Sequence, residues 1–123
     1  GKPYRKKNRR DDQITTVVQP DMIVVCDEEK LKDNRSVDGA PEMVVEILSP
    51  GNSHTEIKYK FDLYEENGVL EYWVVYPEYQ QIYVYLLNEH DEYGKPVIYE
   101  AGEKISSIVI KGLKIPMKDF FKL

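Results

Sequence analysis

Three ionisable residues, Asp21, Glu46 and Lys60, stand in stretches whose neighbours are apolar. Glu46 is the centre of Met43-Val44-Val45-Glu46-Ile47-Leu48. That run is apolar on both sides of its strand alternation, the pattern of a strand buried on both faces. A carboxylate there costs several kcal/mol, roughly, unless a cation, a metal or a proton neutralises it. Asp21 follows Pro20 and heads the apolar run Met22 to Cys26. Lys60 shares the i, i+3, i+4, i+7 face of Ile57, Phe61 and Tyr64. Two carboxylates of this kind can supply oxygen ligands to a hard divalent cation such as Mg²⁺. Such an ion polarises a phosphoryl oxygen or lowers the pKa of a water, and a nearby ammonium orients the attacking water or offsets charge. The competing reading is an Asp/Glu–Lys ion network that only fixes packing.

The elements that must position this trio follow from the periodicity. Strands are expected over 21–26, 42–48 and 70–76, with a preceding β-prone run over 14–18. The connection 49–54 is a Ser/Pro/Gly/Asn turn, and Ser53 or Thr55 caps a helix over 55–67 that ends before Gly68. That helix is expected to pack on the sheet through Ile57, Phe61 and Tyr64. Further strands are expected over 81–87, near 96–100 and over 105–110, with a short terminal turn or helix over 115–121. One helix between groups of strands predicts an α/β (α+β) fold, a sheet with a single covering helix.

The 123 residues suffice for one domain with its own core, expected over 14–123, behind a basic arm over 1–13. Residues 1–10 hold six of the 17 basic residues and no acid, which leaves eleven basic against 22 acidic residues in the remainder. A basic arm can contact phosphates, whereas the acidic body argues against a non-specific DNA coat. No apolar run approaches the roughly 20 residues of a membrane span, and no signal-peptide pattern opens the chain. A single cysteine, Cys26, excludes an internal disulfide and fits a reducing, cytoplasmic setting.

The succession Pro20-Asp21, Gly39-Ala40-Pro41, Val44-Val45-Glu46-Ile47-Leu48-Ser49-Pro50, a helix with Lys60-x3-Tyr64, and Glu71-Tyr72-Trp73-Val74-Val75 resembles the PD-(D/E)XK nuclease superfamily. More narrowly it is similar to the Uma-type family of candidate restriction endonucleases, from about Val17 to the C-terminus. The resemblance implies a restriction-endonuclease-like mixed sheet and metal-dependent cleavage of DNA. Asp21 and Glu46 would be the metal ligands for Mg²⁺ (or Mn²⁺), and Asp21, Glu46 and Lys60 the catalytic trio. The Glu-x-Lys half of the motif is broken, because Leu48 stands two residues after Glu46; Lys60 matches variants whose lysine has moved to the following helix. Relatives often carry Asp one turn before that lysine, where this chain has Glu56. They also carry a leading helix and strand where this sequence has only about 20 residues. Either it is a fragment, or a partner chain fills the gap as a homodimer covering the exposed sheet. The alternative to a nuclease is a catalytically inactive nuclease-fold binding or assembly module.

Glu56 reads as an i, i+4 partner of Lys60 or an outer support of the site, and Ser49 as a turn residue flanking it. His54 lies at the helix start and His90 in a loop. Tyr72, Trp73, Tyr79, Tyr83 and Tyr85 can stack bases or pack the sheet. No Gly-rich phosphate loop, zinc spacing or Ser-His-Asp order is present.

Overall fold

The computed structural model describes residues 20–24 and 40–121. Strand β1 (Met22–Val24) is followed by β2 (Met43–Ile47), helix α1 (His54–Glu66), β3 (Glu71–Tyr76) and β4 (Gln81–Leu86). After these come β5 (Val97–Tyr99), β6 (Lys104–Ser106), β7 (Lys114–Pro116) and the short α2 (Met117–Phe120). The first five strands make one sheet in the order β1-β2-β3-β4-β5, and β6 pairs with β7 in a separate ribbon. Only β2 and β3 are parallel among the described pairs, joined across α1; the others are antiparallel. The fold is therefore a mixed α+β sheet.

Local chemistry accounts for the one long helix. The Ser53 side chain accepts the Glu56 N–H at 3.1 Å and caps the first turn. At the other end Gly68 takes φ +77°, the left-handed conformation that closes a helix without a Cβ clash. Phe61 and Tyr64 pack on the sheet as the periodicity predicts, and Ile57 is half-buried. Phe61 sits edge-on to Tyr85 and Tyr93, with ring centroids 5.0 and 5.3 Å apart.

β3 separates two cores, because its successive side chains point to opposite faces. Val44, Tyr72 and Val74 face α1, together with Tyr64, Val69 and Tyr93. Met43, Val45, Trp73 and Val75 face the other way, against Ile105 and Met117 of the C-terminal ribbon and helix. This second layer departs from the expected strand over 105–110. The strand stops at Ser106, because the amides of Ile108 and Val109 turn inward to the buried carboxylate of Glu71. The chain then turns at Gly112 (φ +85°) into β7, so the expected terminal turn or helix over 115–121 begins as strand and becomes helical only at Met117.

Strand β1 is described as far as Val24. The end of the expected strand over 21–26, Cys26, the run over 14–18 and the basic arm over 1–13 lie outside the described residues. No helix among the described residues is long and apolar enough to cross a membrane.

Candidate active site

Glu46 lies on the α1 face of β2 and is 2% exposed. Its two oxygens have different partners. Lys60 Nζ donates to Oε1 at 3.2 Å, and the Tyr64 hydroxyl donates to Oε2 at 2.5 Å. Lys60 and Tyr64 are one helical turn apart on α1, so a single helix face supplies both. The Lys60 side chain keeps 19% of its exposure while that of Glu46 keeps 3%, so the lysine bridges the buried carboxylate and the solvent side. The i, i+4 pair expected between Glu56 and Lys60 does not form; Lys60 turns inward to the buried carboxylate, where a cation is worth more. The intrahelical pair is instead Lys58–Asp62, at 2.9 Å. Glu56 is exposed.

Asp21 reaches the same region from β1. The antiparallel ladder ends at Met22↔Val45, and Asp21, exposed, is the residue just before it. Its Oδ2 accepts the Ile47 N–H at 2.6 Å. That bond takes the place of a ladder bond and ties the Asp21 carboxylate to the residue after Glu46. Its charge is felt at the Tyr64 hydroxyl. Burial first, and then the hydrogen bond and charge of Glu46, push the Tyr64 phenol far above the ordinary tyrosine range. Tyr72 beneath it is raised by burial and then by Glu46. Tyr64 is thus a permanent hydrogen-bond donor to Glu46.

Among the described residues no group of three or more His, Cys, Asp or Glu side chains is placed to hold a metal ion. The acidic donors at this site are Asp21 and Glu46. Two carboxylates suit Mg²⁺ or Mn²⁺, which keep several waters and use substrate oxygens. A carboxylate has about four lone-pair sites; Lys60 and Tyr64 occupy one on each oxygen of Glu46, so acceptor capacity remains. The donor set fits a hard divalent cation.

The remaining singled-out residues lie apart from this centre or within the core. Ser49 is exposed and gives both its N–H and its hydroxyl to Asn52 Oδ1, a turn closure. His54 opens α1 on the surface, and His90 is exposed in the loop before β5. Tyr72 and Trp73 are buried, and Tyr85 is half-buried against Phe61. Tyr83 packs edge-on to Tyr76 at 4.9 Å, while Tyr79 is 65% exposed. The sequence put Tyr64 on the packing face and in the Lys-x3-Tyr pattern without a hydrogen-bonding role, and named Glu71, 1% exposed on the opposite face, only within the run that carries the resemblance. The signal for Glu71 was present: a charged residue on the same alternation as Trp73 and Val75.

Comparison with known proteins places the chain in a family. Nothing among the curated proteins matches the chain. Among solved structures it is similar to the crystal structure of a "putative nuclease belonging to DUF820" from Anabaena variabilis. The two are 24% identical and superpose with a TM-score of 0.56, over 67% of this chain and 44% of that one. The chain thus spans less than half the length of that neighbour, and the likeness supports a shared restriction-endonuclease-like fold. A family model described as "Putative restriction endonuclease" matches residues 10–118, most of the chain. The chain belongs to that family, Uma2.

Proposed function

We propose that this chain is a metal-dependent endonuclease that hydrolyses phosphodiester bonds in DNA. The observation that carries the reading is Glu46: a carboxylate 2% exposed, held by Lys60 at 3.2 Å, with the Asp21 carboxylate bound to the N–H of the next residue, Ile47. Family membership supplies the reaction class. Asp21 and Glu46 would hold Mg²⁺ or Mn²⁺, which when bound supplies Lewis-acid stabilisation of phosphoryl charge and an acidified water. Lys60 has three N–H donors. Glu46 takes one, and the others are available to orient the attacking water or to meet charge developing on the phosphate. Tyr64 keeps its proton and holds Glu46 in place. The same reading takes DNA as substrate, the cytoplasm as setting and a homodimer as assembly.

A second reading, an inactive nuclease-fold binding or assembly module, is favoured by the Lys60–Glu46 pair, which neutralises itself without any ion. Nicking of supercoiled plasmid with Mg²⁺ or Mn²⁺ separates the two. The nuclease reading expects cleavage by the wild type and losses of a hundredfold or more in Asp21→Asn, Glu46→Gln and Lys60→Ala. Mn²⁺ should raise Tm in the wild type and not in Asp21→Asn, because a ligand that binds only the folded state stabilises it. No metal-dependent cleavage and no Tm shift would establish the module reading.

A further inference from the structure

The inner face of α1 presents two donors, not one, to the buried carboxylate. Lys60 Nζ meets Oε1 and the Tyr64 hydroxyl meets Oε2, at 3.2 and 2.5 Å. A carboxylate gripped at one oxygen can still rotate about its terminal torsion, which is broad and soft. Gripped at both oxygens by donors on the same rigid helix, it has one orientation. Tyr64 is itself immobilised: it is 7% exposed and packs edge-on to Tyr72 with ring centroids 5.1 Å apart. Lys60 compensates the charge of Glu46, so the hydroxyl is not required for neutralisation. What it adds is direction.

We propose that Tyr64 is a positioning residue for the reaction proposed above, its hydroxyl and the Lys60 ammonium forming a two-point clamp that fixes the plane of the Glu46 carboxylate. The proposal rests on the nuclease reading for its consequence in catalysis, and on the hydrogen bonds alone for its geometry. Partners that orient metal ligands typically matter about 10- to 100-fold in metal affinity or rate. Without the hydroxyl, Glu46 stays buried and paired with Lys60 but can rotate, so the loss falls on metal binding and turnover rather than on DNA binding.

Tyr64→Phe tests this with little change in volume. Tyr93→Phe is the control, because it removes another buried tyrosine hydroxyl of the same cluster, one that donates at 2.7 Å to the Val69 carbonyl and not to Glu46. Tyr64→Phe should weaken Mn²⁺ binding and lower kcat by about 10- to 100-fold with KM for DNA unchanged, and Tyr93→Phe should leave all three as in the wild type. Equal effects of the two variants, or a Tyr64→Phe protein that loses only Tm, would overturn the proposal. Carbon-13 NMR of glutamate-labelled protein, with the Glu46 carboxyl signal assigned through Glu46→Gln, reads the clamp without any metal. Tyr64→Phe should shift and broaden that signal, and Tyr93→Phe should not. An unmoved signal refutes the clamp even in an active enzyme. A moved signal in a protein that binds no Mn²⁺ upholds the clamp and refutes the nuclease reading.

Discussion

Glu46 and Glu71 are buried on adjacent parallel strands of one sheet, at 2% and 1% exposure. They face opposite sides, and their surroundings are unlike. Glu71 Oε1 accepts from the Ser107 hydroxyl and from the amides of Ile108 and Val109, and Oε2 accepts from Trp73 Nε1 at 2.7 Å. All four donors are neutral, and together they surround the carboxylate. Glu46 meets one cation and one phenol, and the Asp21 carboxylate binds the amide of the residue after it. Burial alone therefore does not set the two carboxylates apart. The number and kind of donors do: Glu71 is saturated by dipoles and pins a loop, whereas Glu46 is held in direction and keeps capacity for another ligand.

The largest expected effect tests this distinction on the structural side. Glu71→Ala orphans a buried indole N–H and a part-buried hydroxyl and two amides, and should destabilise the fold by about 3–5 kcal/mol, the cost of breaking a buried network. Glu46→Gln keeps the shape of its residue and can still accept from Tyr64, so its cost in stability should be smaller. Urea unfolding of both proteins checks the order; a Glu46→Gln protein less stable than Glu71→Ala would invert the assignment of roles.

Glu46 was legible in the sequence because an apolar run on both sides of a strand leaves a carboxylate no solvated face. Lys60 was legible because helical periodicity put it among Ile, Phe and Tyr. Glu71 was not recognised although its pattern was similar, because three of its four donors come from residues 107–109, more than thirty positions away, and backbone amides carry no sequence signature. The same bonds explain the misplaced strand end at 105–110. β7 was missed for a related reason: three residues, Lys114–Pro116, carry little alternation, and pairing with β6 rather than propensity makes them a strand. The partner of Tyr64 was hidden because packing and hydrogen bonding demand the same residue at that position.

Alkaline pH should strain the Glu46 side of the sheet selectively. Tyr64, Tyr72 and Tyr93 all lie in the core beneath α1, and burial, the largest cause for each, holds their phenols well above the ordinary tyrosine range. A folded pKa above the unfolded one means that the native state keeps its proton longer. The stabilisation is therefore complete below about pH 10 and declines as pH rises towards the folded values. Each such tyrosine contributes a slope of up to about 1.4 kcal/mol per pH unit above pH 10. Denaturant unfolding between pH 8 and 11 should show stability level at first and then falling, with phenolate absorbance from the buried tyrosines appearing together with unfolding. The slope above pH 10 should be shallower in Tyr93→Phe, which removes one of the three, and unchanged in any variant confined to the Glu71 side.

The smallest expected effect sharpens the comparison most, because it changes one donor and leaves the charge in place. Ser107 Oγ donates to Glu71 Oε1 at 2.9 Å and accepts the Ile110 N–H at 2.9 Å, so it links the carboxylate to the loop. Ser107→Ala removes that link while the Ile108 and Val109 amides and Trp73 Nε1 still satisfy both oxygens. The cost should be about 1–2 kcal/mol, one hydrogen bond lost and one half-buried amide left to water. Because Ser107 lies on the far face of the sheet from Glu46, Mn²⁺ affinity and plasmid nicking should match the wild type once temperature is adjusted for the lower Tm. Tyr64→Phe also deletes a single donor to a buried glutamate, and it should do the reverse, altering metal binding more than stability. If Ser107→Ala and Tyr64→Phe had the same profile in both assays, the two buried carboxylates would be playing the same part, and the distinction drawn from their donors would fail.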